Sequence, residues 1–462
     1  MNLSEYEWPR PPGFNPFAHQ KQTAEFLIGN RKAFCFNEQG TGKTASVIWA
    51  VDYLMKLGAV RRVLVICPLS IMKAAWQADL FKFAIHRTVS VAYGAAKKRK
   101  EIVNAGAEFV IINFDGVGIV KQEILNGGFD LIVVDEASAY KNPRTERWKD
   151  LRDVCKAVKG LWMLTGTPAA QSPVDAYGLA KLVNPKGVAP FYGQFRDQVM
   201  VKVSEYRWIP RPEAKHIVHN TLQPAIRFEK KDCLDLPPVT FADRDAPLTP
   251  QQSGFYKLLA KQMLIEAAGE EVSAVNAAAK LTKLLQIACG SVYTDTGEVV
   301  DFDVSNRLNV VQEAVDECSN KVLIFVPFSH TIELLSKHLT KNGVTCEIIN
   351  GDVSVNKRSE IVRLFQSNTN PKVLIIQPQA ASHGLTLTAA DTIIWYAPCT
   401  SVETYLQANA RIDRPGQVNP MTIIHIKGSP VEDRMYKLLR SNIDNHQQII
   451  DLYKQIISEA AE

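Results

Sequence analysis

The chain has 462 residues, more than one hydrophobic core usually organises, so at least two domains are expected. Hydrophobic residues make up 46% and charged residues 22%, a globular mixture that excludes a disordered or fibrous chain. The formal charge of +5 suits a phosphate-rich partner, but many proteins that never meet nucleic acid are as basic, so it carries little weight.

The opening MNLSEYEWPRPPGF has acidic and proline residues where a secretion signal needs a basic start and an apolar run. Apolar stretches are broken by charges well before the ~18 residues of a membrane helix, so no membrane partner is expected. The eight cysteines, from Cys35 to Cys399, include no CxxC pair, which disfavours zinc. Several sit in apolar runs, and a reducing, cytoplasmic setting follows.

Along the chain, short apolar runs alternate with helical stretches at 33–36, 63–67, 109–112, 131–134 and 161–164. A second series follows at 322–326, 373–376, 392–396 and 422–426. Continuous apolar strands of this kind belong in parallel sheets covered on both faces, which predicts an α/β fold with two such units in tandem. The expected organisation is a first lobe over 1–185, a linker with helical insertions over 186–305, a second lobe over 306–430, and closing helices over 431–462. The linker is placed by its lost strand–helix rhythm, its Ile209-Pro210-Arg211-Pro212 and Leu236-Pro237-Pro238 segments, and its alanine-rich helical tract from 251 to 287. The closing helices are placed by Leu438, Leu439, Ile449, Ile450, Tyr453 and Ile457 at helical spacing.

The densest chemistry is Gln39-Gly40-Thr41-Gly42-Lys43-Thr44, between an apolar run and a helix that carries Val47, Ile48, Val51 and Leu54 on one face. Strand, glycine loop and helix is the order of a phosphate loop. Backbone amides curl round phosphate oxygens, Lys43 adds a point charge, and the Thr44 hydroxyl can ligate Mg²⁺. Asn37 stands where the general GxxxxGK[ST] pattern has its first glycine. Downstream, the run at 131–134 ends in Asp135-Glu136. That puts two carboxylates at the carboxyl edge of a parallel sheet, where Asp135 can hold the Mg²⁺ shell and Glu136 can orient or deprotonate the attacking water.

With Leu164-Thr165-Gly166-Thr167-Pro168, these segments resemble the first-lobe motifs of helicase superfamily two. Residues 405–417, Tyr405-Leu406-Gln407-Ala408-Asn409-Ala410-Arg411-Ile412-Asp413-Arg414-Pro415-Gly416-Gln417, narrow the resemblance to the Swi/Snf-like DNA translocases. Asn409 replaces the usual glycine of that segment, and Pro415 stands where isoleucine or another residue is common. Further segments appear in the family's order and carry the resemblance over nearly the whole chain: Pro68-Leu69-Ser70 with Trp76, Leu248 to Gln252 with Tyr256, Asn350-Gly351-Asp352 with Arg358, and His383 to Asp391.

The resemblance implies two RecA-like lobes, ATP and Mg²⁺ as cofactors, and DNA, duplex more than single-stranded, as partner. It implies that Arg411 and Arg414 act as arginine fingers on the transferred phosphoryl group, and that Thr165, Thr167, Gly384 and Gln407 couple hydrolysis to movement. Gln20, after Phe17-Ala18-His19, resembles the family's upstream glutamine, which pairs with adenine; an exposed glutamine at a helix start is the rival reading. Ser70, Asn113, Ser329, Thr386 and Thr388 fall in segments that grip phosphates, although each by itself equally caps a helix or turn. The cluster Lys97-Lys98-Arg99-Lys100 reads as a solvated basic face. Ser138 departs from the histidine that usually ends the DEAH-type motif.

The expected activity is therefore ATP-driven movement along DNA that remodels it or displaces bound protein. A strand-separating DNA or RNA helicase is an alternative, and a nucleotide-dependent recruitment module is another. Replication, recombination or repair proteins are the expected protein partners, and a compact core without appendages points to a bacterial cell or phage-infected host.

Overall fold

In the computed structural model the described residues are 3–166, 169, 172–203, 208–267, 274–293, 299–381 and 385–441. They divide into two compact units, Met1–Asp235 and Leu236–Glu462.

The first unit carries β1 (Lys32–Cys35), β2 (Val63–Cys67), β3 (Val89–Ala92), β4 (Phe109–Asn113), β5 (Leu131–Asp135), β6 (Gly160–Leu164), β7 (Met200–Lys202), β8 (Trp208–Pro210) and β9 (Ala225–Ile226). Seven of them form a sheet in the order β3-β4-β2-β5-β6-β1-β9, every neighbouring pair parallel. The β7 and β8 strands pair antiparallel with each other. Successive residues of one strand enter opposite cores. Phe34, Leu64, Val110, Ile132 and Met163 join one, and Cys35, Val65, Ile111, Val133 and Trp162 join the other. Burial on both faces is why these strands are apolar without interruption.

The helices α1 (Ala18–Gly29) and α2 (Lys43–Lys56) cover the second of these faces and pack on each other. The N-terminal segment is tied to α2 through the fully buried Asp52, which accepts from the Tyr6 hydroxyl, His86 Nε2 and Arg87 Nε, each at 2.7 Å. Burial alone would raise the Asp52 carboxyl, but the hydrogen bonds from Tyr6, Arg87 and His86 outweigh it and hold the group below the usual carboxylate range.

The second unit carries β10 (Val239–Asp245), β11 (Ser291–Tyr293), β12 (Val299–Asp301), β13 (Lys321–Phe325), β14 (Cys346–Ile349), β15 (Val373–Ile376), β16 (Ala390–Trp395) and β17 (Met421–Lys427). Its main sheet runs β10-β17-β16-β13-β15-β14, again parallel throughout. The two faces are covered by separate cores, one holding Leu323, Phe325 and Trp395, the other Val322, Ile324 and Ile394. Two tandem parallel α/β units are thus observed.

Residues 186–305, expected as a linker, are divided between the units. Those up to Asp235 belong to the first, where β9 extends its sheet, and those from Leu236 belong to the second, where β10 edges its sheet. The alanine-rich tract forms helices Pro250–Ala267 and Ala274–Cys289, whose Tyr256, Leu284 and Leu285 pack with Val431 and Met435 of helix Pro430–Arg440. Of the expected closing helices, Ile449, Ile450, Tyr453 and Ile457 lie outside the described residues, as do Thr167, Pro168, His383 and Gly384.

Candidate active site

The loop between β1 and α2 is shaped by two glycines in the left-handed region, Gly40 at φ 84° and Gly42 at φ 81°. Gly42 is the N-cap of α2. At such a position a side chain is strained, and here it would also collide, because a Cβ on Gly42 would fall 2.1 Å from Gln20 Nε2. With glycine there, Gln20 lies against the loop. Its Nε2 donates to the Thr41 carbonyl at 3.2 Å and its Oε1 accepts from the Phe17 amide at 3.0 Å. His19 Nε2 lies 2.8 Å from the same Thr41 carbonyl, and the Thr41 hydroxyl donates to the Glu38 carbonyl at 2.7 Å. Gln20 is therefore buried, not an exposed glutamine at a helix start.

Lys43, the first residue of α2, donates from Nζ to the carbonyls of Asn37 at 2.8 Å and Glu38 at 3.1 Å. Asn37, where the pattern has glycine, is buried. Its Nδ2 donates to the Thr23 hydroxyl at 2.8 Å, and its Oδ1 accepts from the Phe228 amide at 3.0 Å. The side chain thus bridges α1 to the chain beyond β9, a role glycine cannot fill.

Strand register brings the remaining first-unit groups to one edge. Cys35 pairs with Leu164 and Leu164 with Asp135, so the phosphate loop, Thr165 and Asp135 follow from adjacent strands at the same level. Gly166 lies against the loop, its Cβ position 3.6 Å from Gln39 Cγ. Asp135 is half-buried. Its Oδ2 accepts from the indole of the fully buried Trp76 at 2.9 Å, and its Oδ1 accepts from the Glu136 amide at 3.0 Å. Burial pushes the Asp135 carboxyl up, and the Lys43 charge pulls it back. Glu136 has φ 54°, a left-handed backbone uncommon for a side-chain-bearing residue and of the kind that concentrates at functional sites.

This arrangement fits Mg²⁺ with a nucleotide. The two Asp135 oxygens each accept one hydrogen bond and so retain acceptor capacity. The Thr44 hydroxyl follows Lys43 in the first turn of α2, and Mg²⁺ ordinarily takes one or two protein oxygens and completes its shell with phosphates and water.

Of the expected nucleic-acid contacts in this unit, Ser70 is half-buried after β2, and Asn113 ends β4, with its Oδ1 accepting from Arg99 Nη1 at 2.7 Å. Arg99 corrects the reading of its basic cluster. It is buried, bonds the carbonyls of Gly94 and Ala92, and serves the fold, and Lys100 pairs with Glu123 at 3.0 Å.

In the second unit, Arg411 is buried at 6% exposure. Its Nε donates to the Gln407 carbonyl at 2.8 Å and its Nη1 to the Leu385 carbonyl at 3.2 Å. Arg414, half-buried, donates from Nη1 to the same Leu385 carbonyl at 3.0 Å. The two arginines thus converge on the segment that carries Thr386 and Thr388. Thr386 is exposed, while the Thr388 hydroxyl lies 3.4 Å from Gln366 Nε2. Gln407 is buried with its amide on Glu403 at 3.2 Å, and Ser329 is exposed at the start of helix Ser329–Lys341. Asn409 has a reason to replace glycine, since its Oδ1 accepts from the Trp395 indole at 3.0 Å.

What sequence reasoning missed is the segment from 224 to 230. Pro224, Ile226 and Phe228 accept from the amides of Phe34, Phe36 and Glu38, and the Lys230 amide donates to Glu38 Oε2 at 2.8 Å. Only the short apolar pair Ala225-Ile226 marked it, far from the loop in sequence.

A glycine loop after β1 and a carboxylate pair after β5, the two strands that flank β6 in the first of two parallel α/β units, make the site of a nucleotide-dependent α/β protein. Residues 19–290 match the SNF2-related domain, and residues 306–416 match the helicase conserved C-terminal domain. The chain belongs to the SNF2-related family of ATP-dependent helicase-like proteins.

Among its relatives, it is 25% identical over 413 residues to an uncharacterized ATP-dependent helicase of Mycoplasma genitalium, with 86% of this chain and 38% of that protein covered. It is 25% identical to the mouse chromodomain-helicase-DNA-binding protein 1-like, covering 90% of this chain and 47% of the relative. It therefore spans less than half the length of these two proteins. It is also 24% identical to putative protein p41 of Acyrthosiphon pisum secondary endosymbiont phage 1, covering 91% of this chain and 95% of that protein. Among solved structures, the Sulfolobus solfataricus SWI2/SNF2 ATPase core in complex with dsDNA is similar at 22% identity and a TM-score of 0.48, covering 96% of this chain and 93% of that one.

Proposed function

We propose that the protein hydrolyses ATP to move along duplex DNA, and in doing so remodels the DNA or displaces proteins bound to it. The observation that carries this reading is the loop in which Gly40 and Gly42 take left-handed conformations and Lys43 begins α2, with Asp135 at the same level of the sheet. Amides at the α2 N-terminus hold the phosphates, and the Lys43 ammonium leaves its loop carbonyls for phosphate oxygens. Mg²⁺, held by Thr44 and Asp135, would neutralise charge on the β- and γ-phosphates. Glu136 orients the attacking water, its direction set by the strained backbone at the end of β5. Arg411 and Arg414 are the proposed arginine fingers for the transferred phosphoryl, and of the two Arg414 has the less buried side chain. Small polar residues such as Ser70, Ser329 and Thr386 suit a track held by its backbone without sequence reading.

The test is ATP turnover without nucleic acid and with single-stranded DNA, duplex DNA or RNA, using Lys43→Ala as the blank. Turnover raised chiefly by duplex DNA, together with displacement of a protein block from a duplex, is the expected result. Stronger stimulation by single strands or RNA with strand separation would establish the helicase alternative, and ATP binding without stimulated turnover would establish the recruitment module.

A further inference from the structure

The phosphate loop is bonded on one side to a segment that belongs to no nucleotide motif. Chain 224–230 runs beside β1 and continues past the end of the sheet along the loop itself. The Phe34, Phe36 and Glu38 amides donate to the carbonyls of Pro224, Ile226 and Phe228 at 2.9, 2.8 and 3.0 Å. In return, the Phe228 amide donates to Asn37 Oδ1 at 3.0 Å and the Lys230 amide to Glu38 Oε2 at 2.8 Å. Lys230 begins the short helix Lys230–Cys233, and the first unit ends at Asp235, where the chain passes to the second.

The same two loop residues hold Lys43, whose Nζ donates to the carbonyls of Asn37 and Glu38. An ammonium has three donors and two are on these carbonyls, so a phosphate that takes more than the one remaining donor, or draws the Nζ toward itself, competes with these two bonds. Asn37 and Glu38 therefore face the nucleotide-binding lysine with their carbonyls and the connecting chain with their side chains. The peptide between them carries the Asn37 carbonyl, bonded to Lys43, and the Glu38 amide, bonded to the Phe228 carbonyl, so its rotation disturbs both bonds.

We propose that Glu38 is a positioning residue, through which occupancy of the phosphate loop by a nucleotide is passed to the connecting chain at Lys230 and so to the second unit. This rests on the motor reading above. Glu38 acts through the Lys230 amide and touches no reacting atom. Its carboxylate oxygen accepts from the amide of Lys230, the first residue of the 230–233 helix, at 2.8 Å, so the link depends on an acceptor correctly placed at this position.

Wild type, Glu38→Ala and Glu38→Gln are compared as full chains for affinity toward a fluorescent ATP analogue, for turnover with and without duplex DNA, and for hydrogen exchange at the Lys230 amide with and without a non-hydrolysable ATP analogue. Glu38→Ala is expected to bind the analogue and to lose about tenfold of the DNA stimulation, within the usual range of a coupling between sites. Glu38→Gln, whose amide oxygen still accepts from Lys230, retains most of it. In wild type the Lys230 amide exchanges faster when the analogue is bound. Equal DNA stimulation in wild type and Glu38→Ala would overturn the proposal, as would equal loss in the two variants. If duplex DNA does not stimulate the wild type, the motor reading fails on its own. The exchange measurement then decides the link, and exchange unchanged by nucleotide overturns it.

Discussion

Gln20 and Gly42 occupy space that only a glycine leaves open, with the Gln20 amide 2.1 Å from where a Cβ on Gly42 would sit. Gly42→Ala meets both this collision and a backbone at φ 81°. The strain alone costs on the order of 1–3 kcal/mol. The expected outcome is a lowered unfolding midpoint and loss of nucleotide affinity. The double change Gln20→Ala with Gly42→Ala should recover only part of either, because the backbone strain remains.

The two arginines of the second unit should separate. Arg411 is buried and bonds the carbonyls of Gln407 and Leu385, the second of which Arg414 also holds, so Arg411→Ala strands the Gln407 carbonyl and removes a buried side chain, and should destabilise the protein by about 1–3 kcal/mol. Arg414→Ala should keep the unfolding midpoint close to wild type while turnover falls with little change in ATP affinity. Chemical unfolding and steady-state kinetics on both variants decide this. Normal turnover in Arg414→Ala would remove it from the catalytic set.

Restoring the commoner residue at 409 should do harm. Asn409→Gly deprives the buried Trp395 indole of its acceptor and leaves space beneath it, a loss of about 1–3 kcal/mol for an unmet buried polar group. The change should appear as a lower unfolding midpoint in urea, and an unchanged midpoint would mean that the indole finds another partner.

His425 predicts how stability responds to acid. The ring is fully buried, stacked on Tyr436 at 4.1 Å, with Nδ1 2.6 Å from Arg440 Nη2 and Nε2 3.0 Å from the Tyr405 hydroxyl. Because Nδ1 accepts from Arg440, the ring proton sits on Nε2. Burial, with the Arg440 charge, pushes its pKa down to about 3, against the ordinary 6.5 it regains on unfolding. Between those values the unfolded chain binds a proton that the folded chain does not. Stability should therefore fall as pH drops through that window, by at most about 1.4 kcal/mol per pH unit. His425→Gln should be less stable at pH 8 and show a shallower dependence between pH 6.5 and 4. An equal slope in the variant would assign the dependence to other groups.

The central strands were legible in the sequence because burial on both faces leaves them no polar residue, as in Val63–Cys67 and Val373–Ile376. Edge strands were not. The β10 segment Val-Thr-Phe-Ala-Asp-Arg-Asp has one neighbour and an exposed flank, so Asp243, Arg244 and Asp245 mask its register. The β14 strand, Cys346–Ile349, hides in the same way at the opposite edge. In the site, the glycine loop and Asp135 were legible because their chemistry fixes spacing along one stretch of chain. The contribution of 224–230 was not, because backbone pairing with the loop carries no residue signature. Asn37 and Asn409 looked like departures from a pattern, and their reason lies in partners remote in sequence, Phe228 and Trp395.

The late arrival of β9 sets an order of events at the ribosome. The edge of β1 that carries Phe34 and Phe36 has no partner until the chain has grown by nearly 200 residues, the separation between Asn37 and Phe228 being 191 positions. The rest of the sheet is complete once β6 has emerged at Leu164, and at about 5–20 residues per second the chain from there to Ala225 takes on the order of 3–12 s, during which an apolar strand edge stands open beside an otherwise complete sheet. The nascent first unit is thus most exposed to misassociation just before its last strand emerges. A chain cut at residue 185, the boundary that sequence pattern alone recommends, would make that vulnerable intermediate permanent.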